Sequence, residues 1–144
     1  MTITIRQPDF TDIERIHAIE KQSISSWSYD QFIEELAREF SVFLAAYTGD
    51  ILSGYICAWI TGDIAEIHGI AVSQESWRRG VGKQLLSAVE AEALNRGCGS
   101  ILLEARSRNT VAINFYRKNG FTEIGRRKNY YPDDDAILME KKIT

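Results

Sequence analysis

The chain has 144 residues, 44% of them hydrophobic and 26% charged, a composition that fits one globular domain spanning 1–144 with a real core. It contains no apolar run approaching about 18 residues, so no spanning helix or membrane association is expected. A net charge of −3 argues against a nucleic-acid-binding surface and tolerates a basic peptide as substrate.

The opening "MTITIRQPDF" shows no apolar signal core, which points to a cytoplasmic protein. "TITIR" alternates with period two and predicts a first strand. Ile13, Ile16 and Ile19 then recur at helical spacing, giving a helix to about Gln22. Ser28 and Gln31 have the spacing of a capping box ahead of Phe32, Ile33, Leu36 and Phe40, which starts a second helix. "SVFLAAYT", "ILSGYICAWI" and "DIAEIHGIAV" are β-rich and separated by Gly49-Asp50 and Gly62-Asp63, the punctuation of antiparallel hairpins.

The pattern then becomes helical along Val81, Leu85, Val89 and Ala93, with Gly97 placed to end the helix. "SILLEA" is nearly continuous in apolar residues, as a strand covered on both faces would be. Asn109 can cap a helix through about Asn119, stopped by Gly120, and residues 121–127 and 136–143 read as two final strands. The order β-α-α-β-β-β-α-β-α-β-β predicts an α/β fold with a mixed sheet, antiparallel early and with a parallel pair at its centre. Cys57 and Cys98 sit among apolar or small residues and are expected as buried free thiols.

One stretch carries a chemical signal. "WRRGVGKQLLSA", residues 77–88, puts Gly80 and Gly82 at the entry to a helix, beside Arg78, Arg79 and Lys83. The first N–H groups of a helix lack internal partners and the helix dipole favours negative charge there, so a phosphate group fits. A tight turn without function is the alternative. Two rival motifs fail: a P-loop would need Gly at Trp77 and Ser or Thr at Gln84, and a dinucleotide fingerprint would need Gly at Leu85.

Together with "LLEARSRNTVAINFYRKNGF", this stretch resembles the two core motifs of the GCN5-related N-acetyltransferase (GNAT) superfamily. The resemblance is strong over residues 66–125, and the element order of the whole chain fits the GNAT acyl-CoA N-acyltransferase fold. It implies acetyl-CoA as cosubstrate, its pyrophosphate held by backbone amides around Arg78, Arg79, Gly80, Val81, Gly82 and Lys83. It also implies a cofactor contact from Asn109. Trp77 departs from the family loop, which has Gln or Arg at that position, and a ring there could pack on the cofactor or cover the core. "SSWSYDQF" and "RRKNYYPDDDAILMEKKI" extend the resemblance, over nearly the full chain, to the RimI-type ribosomal-protein-alanine N-acetyltransferases.

Amide formation from a thioester needs a neutral amine, a stabilised oxyanion and a proton for the departing sulfur. A peptide α-amine has a pKa of about 8 and needs modest base assistance, against about 10.4 for lysine. Glu104, on an apolar strand where partial burial would raise its pKa, is the candidate base through a water. Tyr116 can give its phenolic proton to the sulfur, and backbone N–H groups at Ile70, Ala71 and Val72 can hold the thioester carbonyl. In the RimI-type family a Glu and a Tyr at the matching positions carry these roles.

Plainer readings stay open: Glu104 paired to a cation such as Arg106 or exposed at an edge, Tyr116 as a core tyrosine, Asn109 as an N-cap alone. His17 and His68 lack partners at metal-ligand spacing, so no metal is expected. Trp27, Tyr130 and Tyr131 are candidate substrate contacts, whereas a solvated loop explains the acidic run at 133–135 equally well. The expected function is direct acetyl transfer in a ternary complex to the N-terminal alanine of a small-subunit ribosomal protein, with a monomer as the default. A small-molecule amine acetyltransferase and a non-catalytic acyl-CoA-binding module are the alternatives.

Overall fold

A computed structural model describes residues 2–21 and 27–144. Seven strands form one sheet: β1 (Ile3–Arg6), β2 (Ser41–Thr48), β3 (Ile51–Thr61), β4 (Ile64–Val72), β5 (Ser100–Arg106), β6 (Thr122–Tyr131) and β7 (Asp134–Lys142). Four helices accompany them: α1 (Ile13–Glu20), α2 (Tyr29–Leu36), α3 (Val81–Asn95) and α4 (Thr110–Lys118). The spatial order is β1-β2-β3-β4-β5-β7-β6, with β4 and β5 parallel at the centre and every other neighbouring pair antiparallel.

Hairpins form at both Gly-Asp pairs, and the expected capping box is present, Ser28 accepting from the Gln31 N–H while Gln31 reaches back to the Ser28 N–H. Helix α1 ends at Glu20; Gln22, the expected helix end, and Ser25 and Ser26 of "SSWSYDQF" lie outside the described residues. Helix α2 stops at Leu36, and Phe40 packs edge-on against Trp59 at 5.3 Å instead of extending the helical face. The final hairpin is tighter than expected, since pairing runs out to Tyr131 and Asp134. Cys57 and Cys98 are both free and buried.

Strand alternation sends successive side chains to opposite faces and so builds two cores. Ile56, Ala58 and Ile60 of β3, with Ile101 and Leu103 of β5, pack against Val81, Leu85 and Val89 of α3 and Ile113 and Tyr116 of α4. On the other face Tyr55 and Cys57 of β3 pack with Phe43, Phe32 and the isoleucines of α1. This second core stops at β4, where Ala71 is its outermost member, so the face beyond carries no helix.

Strand β5 is therefore not covered on both faces. Ile101, Leu103 and Ala105 are buried towards α3 and α4, whereas Leu102 is half-buried and Glu104 is exposed on the uncovered side.

The centre of the sheet opens. Pairing of β4 with β5 runs from Ile64↔Ser100 to Ile67↔Leu103. In β4 the register against β3 then slips, with Ile67 opposite Ala58 and Gly69 opposite Cys57, leaving His68 as the extra residue of a bulge. Beyond it β4 stays with β3 and β5 stays with β7, so the facing edges separate.

Candidate active site

The glycine stretch forms a backbone cradle. A 3₁₀ turn at Gln74–Ser76 follows β4, Arg78 takes φ +64° and Gly80, the N-cap of α3, takes φ +83°. Alternation of left-handed residues with ordinary ones turns successive N–H groups towards one concavity. Among the described residues no backbone or side-chain acceptor meets the N–H of Arg78, Arg79, Gly80, Val81, Gly82 or Lys83. Arg78, Arg79 and Lys83 are exposed and have no acidic partner among the described residues. A Cβ on Gly82 would stand 2.9 Å from the Phe115 ring, so this glycine lets the first turn of α3 approach α4. The cradle thus offers unpaired donors and uncompensated positive charge to an anion.

Trp77 neither covers the core nor points idly outward. Its ring is 55% exposed, and Nε1 donates to the Val72 carbonyl at 2.7 Å, closing the loop between the end of β4 and the cradle. Ile70, Ala71 and Val72 pair with Ile56, Tyr55 and Gly54 of β3, and because strand amides alternate sides, Ala71 turns its backbone groups to β3 while those of Ile70 and Val72 face the opened edge. Asn109 is the N-cap of α4, its Oδ1 accepting from the Ala112 N–H at 3.2 Å.

Glu104 is the first β5 residue past the last β4–β5 pair. Its side chain is 32% exposed, partly buried on a face that the second core does not reach, and its cation is Arg127 at 3.6 Å. Arg106, the partner the sequence suggests, stands over the Tyr131 ring at 4.0 Å and beside Asp133 at 3.6 Å. Tyr116 approaches from the α4 face and is 7% exposed, its ring between Phe115 and Phe121. Its hydroxyl has no hydrogen-bond partner among the described residues, and burial pushes the phenol above its usual range. Tyr55 reaches the opening from the α1 side: its hydroxyl donates to buried Glu20 at 2.7 Å and lies against Gly69. Burial raises the Tyr55 phenol furthest, with Glu20, Cys57 and Tyr116 adding to it.

Of the candidate substrate contacts, Tyr131 lies on the Glu104 side, its phenol raised by burial and then by that carboxylate. Tyr130 is half-exposed and meets Tyr131 edge-on at 5.1 Å. Trp27 packs on Phe32 at 5.2 Å, at the start of α2.

In the acidic run Asp133 is exposed in the turn, whereas Asp134 and Asp135 are held by hydrogen bonds. Asp134 is buried and accepts from the Ser107 hydroxyl and, at 3.0 Å, from the Arg108 N–H, which ties the β6–β7 hairpin to the β5–α4 turn. Asp135 accepts from the Asn129 N–H at 2.8 Å, which holds Asn129 at φ +54°. The sequence reading also passed over the polar group beneath the opening. Glu35 of α2, 1% exposed, accepts from Ser41 at 2.6 Å, Cys57 at 3.0 Å, Trp59 and Arg38. Burial alone would raise its carboxyl, but the hydrogen bonds from Cys57, Ser41, Trp59 and Arg38 outweigh it and leave the pKa below 4.5. A Glu on the inner side of a helix was a visible signal for such a site, but three of its partners come from two strands, Ser41 of β2 and Cys57 and Trp59 of β3. Among the described residues no group of three or more His, Cys, Asp or Glu could hold a metal, and no helix is long and apolar enough to cross a membrane.

Comparison with known proteins agrees with this architecture. An uncharacterized protein of Mycobacterium leprae is 36% identical over 140 residues, and this chain spans 38% of its length. The [ribosomal protein bS18]-alanine N-acetyltransferase of Escherichia coli strain K12 is 30% identical over 146 residues, covering 98% of both chains. The crystal structure of the Escherichia coli ribosomal-protein-S18-alanine N-acetyltransferase superposes with a TM-score of 0.89 at 29% identity, over 99% of this chain and 95% of that one. The PaiA N-acetyltransferase of Thermoplasma acidophilum, solved in complex with coenzyme A, gives a TM-score of 0.84 at 26% identity over 99% of both chains. The model of the Acetyltransferase (GNAT) family matches residues 4–121, and with the opened sheet and the cradle at Gly80 the chain belongs to that family of acetyltransferases.

Proposed function

We propose that the chain transfers an acetyl group from acetyl-CoA to the α-amine of an N-terminal alanine on a ribosomal protein. The observation that carries the reading is the run of unpaired N–H groups from Arg78 to Lys83, set beside a sheet opening flanked by Glu104 and Tyr116. The acceptor follows the Escherichia coli relative, which is named for alanine acetylation of bS18 and aligns over nearly the whole chain. The neighbour solved with coenzyme A supports the acyl-CoA cosubstrate.

In this reading the cradle amides and Arg78, Arg79 and Lys83 hold the pyrophosphate, and Asn109 adds a contact from the head of α4. When bound, the thioester supplies the acetyl carbon to the opening between β4 and β5. Backbone N–H groups at Ile70 and Val72, which face the opening while that of Ala71 faces β3, polarise its carbonyl where negative charge develops. Glu104, open to solvent, takes the amine proton through a water, which suits an α-amine that loses it at about pH 8. Tyr116 gives its proton to the departing sulfur; its high phenol pKa keeps that proton in place until the thiolate forms. Trp27, Tyr130 and Tyr131 provide the rim for the peptide.

The test compares kcat/KM for an alanine-initiated ribosomal N-terminal peptide with that for small polyamines under saturating acetyl-CoA. Preference for the peptide supports the reading, and efficient acetylation of small amines with an unmodified peptide overturns it. An activity in cells that survives both Glu104→Gln and Tyr116→Phe would instead mark a non-catalytic acyl-CoA-binding module.

A further inference from the structure

Among the described residues, Nε2 of His68 is the side-chain nitrogen or oxygen that is itself closed to solvent and yet lacks a hydrogen-bond partner. A buried polar atom without a partner costs stability comparable to a lost hydrogen bond, so its place calls for an explanation. His68 is the bulged residue of β4 at which pairing with β5 ceases. Ile67 and Leu103, the last pair, both point into the α3 core, so the next residues, His68 and Glu104, both turn to the opposite face. The imidazole lies on Trp59, ring centres 4.1 Å apart, which fixes its plane. Glu66 Oε2 is 3.9 Å from Nε2, beyond hydrogen-bond reach.

The charged and titratable groups around the ring are Glu66 on β4, Cys57 on β3, Glu35 on α2, Arg38 just after α2, and Glu104 on β5. Burial lowers the imidazole below its ordinary 6.5 against the pull of Glu66, Glu35 and Glu104, so the ring is neutral at pH 7. In a neutral ring with its proton on Nδ1, Nε2 is an acceptor.

Building on the acetyltransferase reading above, we propose that His68 is a second acceptor-side group at the mouth of the opening, with Nε2 receiving a hydrogen bond from the incoming amine. That bond aims the nitrogen lone pair at the acetyl carbon from the Glu104 side. The new C–N bond forms as the C–S bond breaks, one amine proton leaves towards Glu104, and the sulfur takes a proton from Tyr116. His68 itself neither gains nor loses a proton in the cycle. Its chemistry selects a neutral primary amine with a free N–H, and it stops working when the ring is charged.

The experiment uses the full chain, acetyl-CoA and an alanine-initiated peptide, comparing wild type, His68→Phe and His68→Gln. Phe keeps the stacking on Trp59 without an acceptor, and Gln restores an acceptor without the ring. The expected result is a fall of about 10- to 100-fold in kcat/KM for His68→Phe with unchanged acetyl-CoA affinity. His68→Gln should recover part of that loss and, once the rate is corrected for the fraction of neutral amine, should lack the further wild-type decline that sets in below pH 6.5. The proposal is overturned if His68→Phe keeps wild-type kcat/KM, if His68→Gln is no better than His68→Phe, or if it keeps that further decline. Absence of any transfer by the wild type would overturn the acetyltransferase reading and this proposal with it, whereas an active wild type with an unaffected His68→Phe overturns this proposal alone.

Discussion

The indole Nε1 of Trp77 donates to the carbonyl oxygen of Val72 at 2.7 Å, so one side chain ties the end of β4 to the loop that enters α3. The amides of the cradle and those at Ile70 and Val72 must serve one extended cosubstrate, and this bond fixes the distance between them. Trp77→Phe keeps the ring and removes the donor. It should weaken acetyl-CoA binding by about three- to tenfold, read by calorimetric titration, with little change in the unliganded melting temperature.

The two glycines of the cradle should respond differently. Gly80 has open space around it but sits at φ +83°, so Gly80→Ala carries backbone strain alone, about 1 kcal/mol, or a few degrees in Tm. Gly82→Ala drives a methyl to 2.9 Å from the Phe115 ring and must push α4 or the ring aside. Thermal melts with and without acetyl-CoA separate the cases: Gly82→Ala should lose the larger share of ligand-induced stabilisation.

Tyr116→Phe removes a hydroxyl that bonds nothing among the described residues, so the fold should keep its stability. The rate should nonetheless fall by about 10²-fold if that hydroxyl supplies the proton for the sulfur. Glu104→Gln, at an exposed position, should show the same pattern of intact stability and reduced kcat. A melting temperature that drops with the rate in either variant would mark a structural role instead.

Glu35 makes the fold sensitive to acid. Its carboxyl is held below 4.5 in the folded chain, so its contribution is fully present above that value and is lost as pH falls through the folded pKa. His68 works in the same direction over a higher window. Its folded pKa lies below 6.5, so the unfolded chain takes up the proton first and stability declines as pH falls from 6.5 towards the folded value. Chemical denaturation between pH 3 and pH 7 should show Glu35→Gln with a flatter profile below pH 4.5, and His68→Phe with a flatter one between there and 6.5.

Much of this architecture was legible in the residues. Period-two and period-3.6 patterns, the Ser28–Gln31 cap and the Gly-Asp hairpins are local signals, and the elements formed where they fall. Gly80 and Gly82 marked the cradle because an entry to a helix needs few residues to define it. What could not be read was anything set by how far a layer extends. Leu102 and Glu104 looked covered because "SILLEA" is nearly continuous in apolar residues, yet how open that face lies depends on the α1–α2 layer stopping at β4. Asp134 looked like loop because its partners, Ser107 and Arg108, are 27 and 26 residues away. His68 was weighed only as a metal ligand; the bulge that leaves Nε2 without a partner arises from the register between two strands.

The most direct test of the central claim is the intact mass of an alanine-initiated ribosomal N-terminal peptide after incubation with the protein and acetyl-CoA. The account predicts a single added acetyl group, located on the α-amine and absent when that amine is blocked. A peptide that stays unmodified, or one acetylated on a lysine side chain instead, would contradict it.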